Sequence, residues 1–371
     1  MTRRRVTIVG LALALWFCAA PGRTSVAARL DLPPRLADQD FWRLIDDFSE
    51  PNGSFRSDNL VSNEDTLQFV LPELTRIVKP GGVYLGVGPD QNFTYIAALE
   101  PRMAFITDIR RGNLQEHLMY KALFELSADR AEFLSRLFSR KRPGGLDAGS
   151  SAEELFAAFN RVEPSRGLYE ENLQAIKDLL VKRHGFRLTP DDVQGIAYVY
   201  ENFFGAGPSL AYAQGTFPGR GMRYPTYQDL QTANDGAGQN RAYLGSEGSF
   251  RTLKTFEEHN LLVPIVGNFA GPKALRAVGA YLKAHDASVS VFYLSNVEQY
   301  LFGDGIWLEF AHNIEALPLA ETSTFIRSCF NGCASSFGAR SVMLLDSMPG
   351  LLRDARDGKI RTYADVLWRS R

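Results

Sequence analysis

Apolar and polar positions follow two patterns along this chain. Over 38–48 (DQDFWRLIDDF), Phe41, Leu44, Ile45 and Phe48 recur at helical spacing, which predicts a short amphipathic helix. A second helix is expected over about 63–78. Ser62 stands at its cap, Asp65 takes the capping-box position usually held by Glu, and KPGG (79–82) stops it. From Val83 the pattern changes to short, mostly apolar runs at 83–85, 103–107, 261–266, 289–294, 323–328 and 341–345. Such runs, without polar alternation, read as strands covered on both faces. Helical stretches at 90–99, 113–126, 130–138, 247–259 and 272–285 separate them. Strand–helix alternation of this kind predicts an α/β fold: a Rossmann-like, mostly parallel sheet.

The alternation breaks between the second and third strands. Residues 141–245 offer helical segments (152–159, 170–183, 191–204) and two Gly/Pro-rich loops (205–225, 232–240), but no apolar strand run. They read as a helical insertion within one α/β domain. The expected layout is a leader (1–28), N-terminal helices with the first half of the domain (29–140), the insertion (141–245) and the second half (246–371).

The leader changes the expected compartment. Arg3, Arg4 and Arg5 precede a 15-residue apolar run, Val6 to Ala20, and Val26-Ala27-Ala28 fits a signal-peptidase site. At ~1.5 Å per residue that run falls short of a hydrocarbon core of ~30 Å. The reading is export to the periplasm or beyond, with cleavage near Ala28 and no stable membrane span afterwards. Cleavage would take four of the 41 basic residues and none of the 42 acidic ones, so the net charge moves from −1 to −5. Neither value makes an electrostatic case for nucleic acid. Of three cysteines, Cys329 and Cys333 would remain; an oxidising compartment allows them one pairing, with two free thiols the alternative. Five dispersed histidines give no zinc spacing, and no nucleophile elbow, His-Glu-x-x-His or Walker loop occurs. No signal bears on oligomeric state.

Ligands of open α/β sheets bind at the C-terminal strand ends, and unusual residues cluster there. Gly86-x-Gly88 follows the first strand, with Gln91 and Asn92 opening the next helix. Glycine there permits close backbone approach, and the helix start offers free N–H groups. Asp108 ends the second strand, where a carboxylate can accept from ribose hydroxyls. Arg110, Asn113, His117 and Lys121 could line the mouth, His117 as a general base. Asp58 and Asn59 could fold over it, and Gln239, Asn240 and Arg241 could close it from above. Asn268, Asn296 and Glu298 lie just past strand ends. Arg327, inside an apolar strand, calls for a carboxylate or an anion, with Asp108 one candidate partner.

Residues 83–108 and the later strand order resemble a class I S-adenosylmethionine-dependent methyltransferase. The phrases GVGPDQNFTY (86–95), DIRR (108–111), EHLMYKALF (116–124) and STFIRS (323–328) are similar to an uncharacterised bacterial family without a stated activity. The methyltransferase likeness implies S-adenosylmethionine as cofactor, with Gly86, Gly88 and Asp108 on the adenosine and His117 or Asn296 near the substrate. Three positions depart from it. Tyr84 stands where an acid is usual, Asp90 stands at the third glycine, and Ser295-Asn296 replaces the carboxylate after the fourth strand. The expected function is an exported protein that binds a small polar or nucleoside-type ligand at the strand edge. The alternatives are an active methyltransferase and a non-catalytic envelope binding module.

Overall fold

The computed structural model describes residues 31–212, 224–330, 333 and 340–370. The expected leader and part of the 205–225 loop lie outside them. All six apolar runs form strands: β1 (Val83–Gly86), β2 (Met103–Asp108), β3 (Leu262–Val266), β4 (Val289–Ser295), β5 (Leu319–Cys329) and β6 (Val342–Ser347). They make one sheet in the order β3-β2-β1-β4-β5-β6, parallel except that β6 runs antiparallel to β5. Every residue of β1, β2 and β3 is buried, as their unbroken apolar runs demand.

The first half carries α1 (Asp38–Phe48), α2 (Leu71–Ile77), α3 (Gln91–Leu99), α4 (Arg111–Leu126) and α5 (Arg130–Leu137). Between β2 and β3 the chain adds α6 (Ala152–Phe159), α7 (Arg166–Lys177) with a π-helical turn (Asp178–Arg183), α8 (Pro190–Ala206), α9 (Tyr227–Thr232) and α10 (Glu247–Glu258). After β3 come α11 (Ala274–Ala284), α12 (Val297–Gly303), α13 (Trp307–Glu315), α14 (Met348–Arg356) and α15 (Tyr363–Arg369). Helices α3, α4 and α10 pack together, as do α1, α11 and α13, so the two sets cover opposite faces of the sheet. Of the inserted helices, α7, α8 and α10 pack on α4 and α6 packs on α5 and α9, with Phe156, Tyr200 and Phe203 in the common core. No helix among the described residues is long and apolar enough to cross a membrane.

The expected helix over 63–78 shrinks to Leu71–Ile77, with Pro72 in its first turn. Residues upstream spend their polar groups on distant partners instead. Asp65 accepts from the backbone N–H of Arg340 (2.8 Å) and Ser341 (3.1 Å). Thr66 donates to Ser341 O at 2.9 Å, and Gln68 accepts from Arg241 N at 2.6 Å. Side chains that satisfy remote backbone in this way compete with a local helix. Cys329 and Cys333, at the end of β5, are joined by a disulfide.

Candidate functional site

The turn after β1 is filled by its own chain. Gly88 adopts φ +78°, a conformation that suits glycine, and a Cβ on Gly86 would lie 2.0 Å from Asn92 Oδ1. Helix α3 starts so that Asn92 points back into the turn. Its Nδ2 donates to the carbonyls of Val87 (3.0 Å), Gly88 (3.2 Å) and Pro89 (2.8 Å), and its Oδ1 accepts from Tyr84 O–H at 2.8 Å. His117, from α4, places Nε2 2.9 Å from Gly88 O. A carbonyl only accepts, so Nε2 carries the proton and Nδ1 keeps a bare lone pair. Burial pushes this imidazole down to about 4, so it is neutral at physiological pH.

Asp108 is engaged as well. Its Oδ1 accepts from Arg110 N (2.9 Å) and Nε (3.1 Å), and its Oδ2 from Nη2 (3.1 Å). The same guanidinium donates to the carbonyls of Ser57 and Asp58. Asp58 therefore lies beside Arg110, held through its backbone, whereas Asn59 donates its N–H to Ser57 Oγ at 3.4 Å. Outside Arg110 lies a hollow of about 230 Å³, lined by Asn52, Phe55, Asp58, Arg110, Gln115 and Tyr198. Tyr198 belongs to the insertion and donates to Asp58 Oδ2 at 2.6 Å. A larger open hollow of about 800 Å³, between Leu32, Arg102, Arg251 and Leu261, sits at the opposite edge of the sheet, away from every candidate residue.

At the β1/β4 junction sequence reading missed Glu64. Fully buried, it accepts from Ser295 O–H (2.6 Å) and Tyr293 O–H (2.7 Å), and burial raises its carboxyl above the usual range. Gln91 donates to Tyr293 O–H at 3.1 Å in the same place. A carboxylate thus stands beside the end of β4, supplied from a segment 231 residues away from Ser295. No local signal marks it.

Other candidates separate. Lys121 turns into the core, paired with Glu125 at 2.8 Å and bonded to Glu257 O; it does not line the mouth. Asn268 shapes the turn after β3 by accepting from Ala270 N at 2.9 Å. Half-buried Asn296 begins α12 and reaches Gln299 at 3.3 Å. Arg327 is buried against Glu298 and, at 2.7 Å, Asp346; Asp108, on β2 beyond β4 and β1, is not its partner. Arg241 bonds Asp235 at 2.6 Å and Asn240 bonds Gln231 O at 2.8 Å, so the 232–240 loop folds on itself rather than over the mouth.

A second set of groups lies just inside. Helix α4 carries Asn113, Glu116, His117 and Tyr120 at i, i+3, i+4 and i+7, one stripe and wholly buried. Asp90, preceding α3, faces it. Asp90 Oδ2 accepts from Gln231 Nε2 (3.1 Å) and Tyr243 O–H (3.2 Å), and Tyr227 O–H lies 2.6 Å from that of Tyr243. Asp90 Oδ1, both Glu116 oxygens, His117 Nδ1 and Gln231 Oε1 have no partner. Burial raises Asp90 to about 7 and lifts Glu116 well above the carboxylate range; for Glu116 the Asp90 charge adds to that, and Arg110 opposes it. Among the described residues no three His, Cys, Asp or Glu side chains converge to hold a metal ion.

This arrangement fixes the sign of a pH effect. Asp90 has an ordinary value of 3.8 and is held at about 7 in the fold, so the native state keeps a proton that the unfolded chain releases. The free energy of unfolding should therefore fall as pH rises from about 4 to about 7. Glu257, buried and raised to about 8, acts in the same direction over a wider window. Urea titrations at pH 5 and pH 8 should show Asp90→Asn losing less stability between them than the unaltered protein. An unchanged loss would contradict the burial of an uncharged Asp90.

The fold and the strand-edge site define a Rossmann-like α/β protein with its candidate groups at the C-terminal ends of β1 and β2. The chain belongs to the family described as Domain of unknown function (DUF7790), whose model matches residues 59–147 and 207–342. The matched segments carry Asp90, the α4 stripe, Tyr227, Gln231 and Tyr243; helices α6, α7 and α8 lie between them. No curated protein matches the chain.

Proposed function

We propose that this is an exported protein of methyltransferase-like fold that binds a small polar ligand at the strand edge, and that it does not use S-adenosylmethionine. The strand order β3-β2-β1-β4-β5, with helices on both faces, supports the fold type. The leader read from the sequence supports export, and the exported product should begin near residue 29 on N-terminal sequencing. One observation carries the rest: the adenosine grip is satisfied from within. Arg110 takes both oxygens of Asp108, and Asn92 fills the space that Gly86 leaves open. A nucleoside would have to displace a bidentate charged pair and a side chain with four hydrogen bonds, each exchange costing about 1–3 kcal/mol. The hollow outside Arg110 stays open to a smaller ligand.

Calorimetry of residues 29–371 with S-adenosylhomocysteine and S-adenosylmethionine tests this directly. The expected result is no saturable heat with either at millimolar ligand. Saturable heat that disappears in Asp108→Ala would restore the active methyltransferase.

A further inference from the structure

The hollow of about 230 Å³ outside Arg110 combines aromatic and polar walls. Tyr198 of α8 is 53% exposed, yet its ring is tied down, because its hydroxyl donates to Asp58 Oδ2 at 2.6 Å. Phe55 lines the same hollow and is half-buried. Its ring packs edge-on against Tyr300, with centroids 5.2 Å apart, and Arg56 Nη2 donates to the Tyr300 hydroxyl at 2.9 Å. Both rings are therefore held in place in the free protein, which lowers the entropic cost of using them as a binding surface.

The polar groups between these rings set the charge of the ligand. Arg110 is the cation of the hollow, and both oxygens of Asp108 already accept from it. Asp58 brings a carboxylate to the same wall, and Asn52, whose Oδ1 accepts from Arg111 N at 2.7 Å, brings an oriented amide. An anion would meet the Asp58 carboxylate and a guanidinium that is already paired. A cation would meet Arg110. A neutral ligand avoids both repulsions. It must offer an apolar face to the rings and groups that both donate and accept at its rim. A sugar ring has this form: its C–H face is apolar, and each of its hydroxyls donates one hydrogen bond and accepts others.

We infer that the hollow binds a neutral sugar ring, with its C–H face on the aromatic walls of Tyr198 and Phe55 and its hydroxyls bonded to Asp58 and Asn52. This deepens the strand-edge reading and rests on it, by making the small polar ligand a saccharide.

The experiment is saturation-transfer NMR and calorimetry of residues 29–371 with the methyl glycosides of glucose, galactose and mannose and with N-acetylglucosamine. Acetate, inorganic phosphate and ethanolamine serve as charged comparators. The expected result is saturable binding of at least one neutral sugar, with saturation reaching its ring C–H protons, and none of the charged probes. Tyr198→Ala should weaken that binding about tenfold or more. Tyr198→Phe, which keeps the ring and loses the bond to Asp58, should weaken it less. Circular dichroism establishes that both variants fold, as the exposure of Tyr198 leads one to expect. Binding of a charged probe in place of every sugar would overturn the saccharide assignment and leave the polar-ligand reading standing. Sugar binding that Tyr198→Ala leaves unchanged would overturn the assignment to this hollow, and no binding of any probe would overturn it as well. Binding of S-adenosylhomocysteine that depends on Asp108 would instead overturn the reading on which it rests.

Discussion

Arg327→Ala is expected to lower the free energy of unfolding by about 3–5 kcal/mol. Arg327 is completely buried in β5. Its guanidinium donates to Glu298 at the start of α12 and, at 2.7 Å, to Asp346 of β6, and it lies 4.6 Å over the Phe325 ring. Glu298 also accepts from Trp307 Nε1 at 3.1 Å, so one cation links β5, β6, α12 and α13. Removing it leaves two buried carboxylates with Arg369, 3.3 Å from Asp346, as the remaining cation. An uncompensated buried charge costs far more than the net value of the original pair. Urea denaturation gives the number. A loss below about 1 kcal/mol would mean that Arg369 alone neutralises the cluster.

The second large effect has the opposite sign. Glu116→Met is expected to stabilise the free protein by about 1–3 kcal/mol, because it removes a buried carboxyl with no partner and keeps an unbranched side chain of similar length. Most substitutions at fully buried positions destabilise. A gain here would show that burying this carboxyl costs the fold stability. Denaturation at pH 8, where the carboxyl is most costly to bury, measures it. A loss above about 1 kcal/mol would show that Glu116 supports the fold.

The strands and α1 were legible because burial leaves its mark on their own residues. Runs such as Met103–Asp108 are covered on both faces and contain no solvent-facing side chain until Asp108. The upstream helix was not legible, because Asp65, Thr66 and Gln68 answer to residues 162–276 positions away. Short helices such as α9 and α15 escaped notice, although Thr226 and Thr362 cap them, since six or seven residues hold too few turns to show periodicity.

At the site, the sequence placed the residues at the ends of β1 and β2 but did not show how they are engaged, and it grouped Lys121, Asn268, Asn296 and Arg327 with a mouth they do not line. Gly86, Gly88 and Asp108 lie at the strand ends as their order implies. That Arg110 takes Asp108 and Asn92 fills the turn depends on side-chain direction. Arg327 was legible as a charge needing a partner, but the partner's identity depends on which strand lies beside β5. The polar stripe of α4 reads as a surface face near the mouth. It is buried because the turn after β1 and Phe93 of α3 pack against it, with Phe203 of α8 against Tyr120. Glu116 is exceptional only in that context.

Glu116 is a fully buried acid with no partner for either oxygen, lifted well above the carboxylate range by burial. Infrared difference spectroscopy of the free protein at pH 7, unaltered minus Glu116→Met, reads this directly. The predicted result is a protonated-carboxyl C=O band present in the unaltered protein and absent from the Glu116→Met protein. A carboxylate signal from Glu116 in the free protein at pH 7 would contradict it.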